Sequence, residues 1–157
     1  MTRSAVILTV LFASAATGLS QQNRKLTADD YAEIQQLYAR YNIALDTGEP
    51  EDWASTFTPD GVFMNNSGHD GLLKFATDFK KRNAGRTRHW NTNLLITPTP
   101  EGASGTCYLF MFDISTRPAT QAASGRYQDT LVKTASGWKF KARKVLPDPA
   151  PKPSTQQ

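Results

Sequence analysis

The chain has 157 residues, 39% of them hydrophobic and 20% charged, and carries a formal net charge of +4. That length, less a short leader, fits one domain of ordinary size with a sizeable core. A single cysteine, Cys107, excludes an internal disulfide; its neighbours Tyr108-Leu109-Phe110 mark it as a small buried hydrophobe on a strand, so stability must come from packing.

Residues 1–20 are set aside as a signal peptide. Arg3 precedes an almost wholly apolar run from Ala5 to Ala16, and Gly18-Leu19-Ser20 supplies the small residues a signal peptidase needs. The run is shorter than the ~20 residues that cross a bilayer, so a secreted or periplasmic protein without a stable membrane anchor is expected.

Thr27 and Asp30 form a capping-box-like start to a first helix. Tyr31, Ile34, Leu37, Tyr38, Tyr41, Ala44 and Leu45 then recur at helical spacing until Gly48. Pro50 suits the first turn of a short second helix with Trp53, Ala54 and Phe57 on one face. Pro59-Asp60-Gly61 reads as a turn before a first strand, Val62-Phe63-Met64. A third helix, roughly 69–83, turns Leu72, Leu73, Phe75, Ala76 and Phe79 inward. Strands follow near 87–97, 104–116, 123–134 and 137–146, the last two joined by Ala135-Ser136-Gly137.

Helices followed by a run of antiparallel strands give an α+β class with the helices on one face of a curved sheet. The domain is expected over 21–147. Residues 148–157, with Pro149, Pro151 and Pro153, read as a disordered tail. Two basic clusters stand out, Lys80-Lys81-Arg82 with Arg86 and Arg88, and Lys139, Lys141, Arg143 and Lys144. The second alternates with Phe140, Ala142 and Val145 as on one solvated strand face, and nucleic acid is not expected as a partner.

Asp46 ends the first helix, where a carboxylate meets an unfavourable dipole and calls for a compensating group. His89, in Arg88-His89-Trp90-Asn91-Thr92-Asn93, is one of only two histidines. The other, His69, follows Asn66-Ser67-Gly68 as a surface residue at a helix start. Read alone, Asp46 is sooner a solvated residue before a glycine turn than a functional one, and His89 sooner a structural histidine than a catalytic one. The ordered series Tyr38-Ala39-Arg40-Tyr41 to Asp46, Glu51-Asp52-Trp53, Phe57 to Phe63, Arg86-Thr87-Arg88-His89, Gly125-Arg126-Tyr127 and Gly137-Trp138-Lys139-Phe140 resembles the SnoaL-like branch of the nuclear-transport-factor-2-like superfamily over about residues 27–147.

The resemblance implies a cone-shaped, cystatin-like α+β roll, a homodimer formed through the sheet, and a small apolar or aromatic molecule held in the cone. It also implies that Asp46 orients His89, which moves a proton near neutral pH. Tyr41, Asn65, Trp90, Tyr108, Asp113 and Tyr127 are candidate substrate contacts, the aromatics to sandwich a ring and the polar groups to hold a carbonyl or hydroxyl. Asn65-Asn66-Ser67 also matches a glycosylation acceptor. Departures narrow the chemistry. Phe63-Met64-Asn65-Asn66 lacks the carboxylate base of ketosteroid isomerases, and 108–113 lacks the second histidine of scytalone dehydratase; for the strand aspartate that SnoaL uses as its acid–base group, the resemblance offers either Asp113 or Asp129. No metal or cofactor is expected: there is no paired-histidine motif, cysteine cluster or phosphate-binding glycine loop, and no Gly-x-Ser-x-Gly elbow. Two functions stay open, a cofactor-independent lyase, isomerase or hydratase acting on a small cyclic carbonyl compound, and a non-catalytic binding module.

Overall fold

The computed structural model describes residues 25–83 and 85–149, so the leader at 1–20 and the tail from 150 lie outside the described residues. The elements run α1 (Ala28–Thr47), α2 (Pro50–Ser55), β1 (Phe57–Phe63), β2 (Asn66–Ser67), α3 (Gly68–Asn83), β3 (Thr87–Thr99), β4 (Gly102–Asp113), β5 (Thr120–Thr134) and β6 (Gly137–Pro147). One curved six-stranded sheet has the order β2-β1-β6-β5-β4-β3, with the helices over its concave face. Most neighbours are antiparallel, but β1 runs parallel to β6, a pairing that periodicity in the sequence does not encode.

α1 begins with the expected capping box. The Thr27 hydroxyl accepts the Asp30 N–H, and the Asp30 carboxylate accepts the Thr27 N–H. Asp30 also ties the helix to the β5–β6 hairpin, accepting from Lys133 Nζ at 2.7 Å and Trp138 Nε1 at 2.9 Å. The Lys133 bond, ahead of the others, holds this carboxyl well below the usual carboxylate range. Gly48 ends α1 in the left-handed region at φ 75°, where its N–H reaches the Ala44 carbonyl. The apolar stripe is buried from Ile34 to Leu45, whereas Tyr31 in the first turn stays 38% exposed. Its partners are Trp53, Phe57, Phe63, Leu72, Ala76, Leu131 and Phe140. Fully burying such side chains contributes roughly 1.5–3 kcal/mol each.

Two bulges change what simple alternation implies. Phe57 pairs with Phe140 but Val62 with Ala142, so Pro59-Asp60-Gly61 is an irregular excursion inside β1 rather than a turn before it. The strand ends at Phe63, and Met64 lies outside it, exposed at φ 53°. In β6, Thr130 pairs with Ala142 but Leu131 with Phe140, leaving Lys141 as the extra residue. An extra residue reverses the facing of everything beyond it. Trp138 and Phe140 point inward before the bulge, and Arg143 points inward after it, fully buried. The expectation of a solvated basic face therefore fails at Arg143.

Candidate active site

Asp46 and His89 meet directly. Asp46 lies on the last turn of α1 and His89 near the start of β3, both nearly buried at 6% and 9% exposure. His89 Nδ1 sits 2.6 Å from Asp46 Oδ1, and the His89 backbone N–H donates to Oδ2 at 2.7 Å. The Thr87 hydroxyl adds a longer bond to Oδ1 at 3.3 Å. A carboxylate offers only acceptors, so the imidazole donates its Nδ1 proton and keeps Nε2 as the basic nitrogen. Three donors compensate Asp46 for its place at the negative end of the helix. The Phe79 ring, 5.8 Å away between centroids, packs beside the imidazole.

Strand alternation places the other candidates apart. Trp90 and Tyr108 lie on the convex face, 58% and 54% exposed, opposite His89. Asn65 is exposed in the turn between β1 and β2. Asp113 ends β4 across from Thr87 and accepts the Ser115 N–H at 2.8 Å, and the Ser115 bonds lower its pKa. Tyr41 and Tyr127 are buried in the interior, packed edge-to-face at 6.0 Å, and burial raises both phenols. Cys107, paired with Tyr127 across the strands, is a buried thiol that burial pushes up to about 12. His69 is at the surface beside Glu51 at 3.4 Å.

The buried group at the centre of the concave face joins Asp129, one of the two strand aspartates the resemblance offers, to Arg143, which sequence reasoning left on a solvated face. Arg143 Nε and Nη2 donate to Asp129 Oδ1 and Oδ2, each at 2.8 Å, with both side chains fully buried. The Tyr38 hydroxyl donates to the same carboxylate. Burial opposes the charge on Arg143, but the Asp129 charge and hydrogen bonds outweigh it and hold the guanidinium ionised. Four rings surround it: Tyr127 and Phe140 at 4.0 Å, Tyr41 at 4.2 Å and Tyr38 at 4.6 Å. Gly105, opposite Asp129, makes this possible, because a Cβ there would lie 2.2 Å from the Tyr38 hydroxyl. A glycine facing an aspartate across two inward positions was the available signal, but the β6 bulge hid the arginine.

Among the described residues, no group of three or more His, Cys, Asp or Glu side chains could hold a metal ion. The larger clefts do not border the Asp46–His89 pair. One of about 390 Å³ lies between α1, α2 and β6, and another of about 590 Å³ lies by the β5–β6 hairpin. The geometry of the pair, rather than cleft size, locates the candidate chemistry.

The SnoaL-like domain family model matches residues 26–144. No curated protein matches the chain. Among solved structures, a Catenulispora acidiphila protein in complex with S-DNPA is 32% identical, with 78% of this chain and 96% of that one covered and a TM-score of 0.69. A Nostoc punctiforme protein of unknown function with a cystatin-like fold is 26% identical over 81% of this chain and 97% of that one, TM-score 0.72. A Novosphingobium aromaticivorans protein, provisionally assigned as a scytalone dehydratase, is 25% identical over 78% of this chain and 89% of that one, TM-score 0.66. The family match across most of the chain and the shared α+β roll agree, and the chain belongs to the SnoaL-like domain family of the nuclear-transport-factor-2-like, cystatin-like fold.

Proposed function

We propose that the protein is a cofactor-independent lyase, isomerase or hydratase that moves a proton at a carbon next to a carbonyl of a small, cyclic compound. The observation that carries this reading is the buried Asp46–His89 pair, with the carboxylate on Nδ1 at 2.6 Å. Asp46 fixes the tautomer and orientation of the ring and stabilises the imidazolium formed when Nε2 takes the proton. Returning that proton to a different atom gives isomerisation. Returning it to a leaving hydroxyl gives dehydration. The resemblance of a relative to scytalone dehydratase supports this class, and the ligand complex of the Catenulispora relative supports a small-molecule pocket.

The test uses 2-tetralone in D₂O, following α-proton exchange by NMR. Wild type is expected to accelerate exchange, and His89→Ala and Asp46→Asn to lose about 10²–10⁴-fold of it, the usual contribution of a positioned base. Equal rates for all three proteins would remove the enzymatic reading for ring ketones. A second reading, a non-catalytic binding module, is favoured by one observation: neither large cleft reaches His89. Separately, Trp90, Leu95 and Tyr108 form an exposed apolar face on the convex side of the sheet, which supports a homodimer; sedimentation showing a monomer at micromolar concentration would reject it. Export follows from the leader read in residues 1–20, and finding that segment intact on the mature protein by mass spectrometry would count against it.

A further inference from the structure

The cleft between α1, α2 and β6 combines three features that internal packing leaves unused. Its floor is apolar, made by Leu37 and Ala44, both buried, and Ile43 stands at its rim 62% exposed. Arg40 and Lys139 line it together, and among the described residues neither has a carboxylate within 4.0 Å. Lys139 is half-buried, and its ammonium donates only to the Ser55 carbonyl, at 2.6 Å. Burial, and then the charge of Arg40, lower the pKa of Lys139. Two cations therefore share one wall, Lys139 half-buried and Arg40 exposed, and among the described residues neither is ion-paired. Glu49 and Asp52 also line the cleft, as exposed as Arg40, but neither comes within 4.0 Å of Arg40 or Lys139, so the positive end of the cleft stays unpaired.

We propose that this cleft is a second ligand site, separate from the Asp46–His89 pair, that takes a small amphipathic anion: its carboxylate or sulfonate rests on Arg40 and Lys139, and its apolar body covers Leu37, Ile43 and Ala44. The cleft volume of about 390 Å³ suits a ligand of two or three rings, or a medium acyl chain. The anion offsets the repulsion between the two cations, and the apolar body removes Ile43 from water.

The probe is 8-anilinonaphthalene-1-sulfonate, titrated by fluorescence into the full folded protein and followed residue by residue by amide NMR. Saturable one-to-one binding is expected, with shifts centred on Arg40, Ile43 and Lys139. Arg40→Gln and Lys139→Gln should each weaken it about tenfold, the usual loss for one charge-assisted contact. Ile43→Glu, at an exposed position that leaves the fold intact, should remove the binding. His89→Ala should leave it unchanged, which keeps this site distinguishable from the proposed catalytic one. The proposal is overturned if wild type shows no saturable binding, or if Ile43→Glu binds the probe as wild type does.

Discussion

Replacing Asp129 by asparagine removes one negative charge and almost no volume, so its effect isolates the electrostatics of the buried centre. In the wild type, Arg143 has no exposed side-chain surface and gives two 2.8 Å bonds to the carboxylate. The asparagine side chain presents one acceptor in place of two, and its amide group points a donor at a donor. The guanidinium is then left buried without a counter-charge, a situation that costs about 3–5 kcal/mol. The four surrounding rings do not rescue it: each desolvated cation–π contact is worth about 2 kcal/mol or more, but all four are already in place before the substitution and add nothing new after it. A loss of this size is a large part of the ~5–15 kcal/mol that holds an ordinary domain. It corresponds to a fall in melting temperature of roughly 10–20 °C at this chain length.

Urea unfolding with the slope held constant measures the difference directly. The companion variant carries Asp129→Leu and Arg143→Met together. Both charges are then absent and the aromatic walls receive apolar groups, so it should lose far less than Asp129→Asn. A loss below about 1 kcal/mol for Asp129→Asn, well under the range for a broken buried pair, would refute the argument that this pair is interdependent. So would a double variant less stable than the single one.

Two further substitutions test the packing around that centre and the cap of α1. Gly105→Ala should destabilise by about 1–3 kcal/mol, as overpacking does, because its Cβ would lie 2.2 Å from the Tyr38 hydroxyl; adding Tyr38→Phe should recover part of the loss in urea midpoints, and no recovery would show that the clash lies elsewhere. Asp30 has a folded pKa below its unfolded value, so the unfolded chain takes up the proton first as pH falls. The stability it contributes is present above about pH 4 and is lost as pH drops below that. Urea midpoints of Asp30→Asn should therefore fall less steeply than wild type between pH 5 and 2, and parallel curves would reject this role.

How much of this was legible from the sequence depends on whether a residue's environment is set locally. Thr27 and Asp30 cap a helix whose start they lie on, so the capping box could be read from four residues. The length and end of α1 followed from a stripe of period 3.6 and a glycine that tolerates positive φ. The parallel seam between β1 and β6 joins residues some eighty apart in the chain, and no local pattern announces it. Asp46 and His89 were found through the family resemblance, which carries long-range information that periodicity lacks. Their contact is long-range too, 43 positions apart in the chain. Trp90 and Tyr108 illustrate the complementary limit. Aromatic character made them candidates for the interior, yet Trp90 follows His89 directly and so must face the other side of the sheet. The same period of two would have placed Arg143 correctly only if Lys141 had not been inserted as a bulge. One extra residue in a strand turns an apparent surface cation into a fully buried charge, and alternation read through a bulge is wrong for every position beyond it.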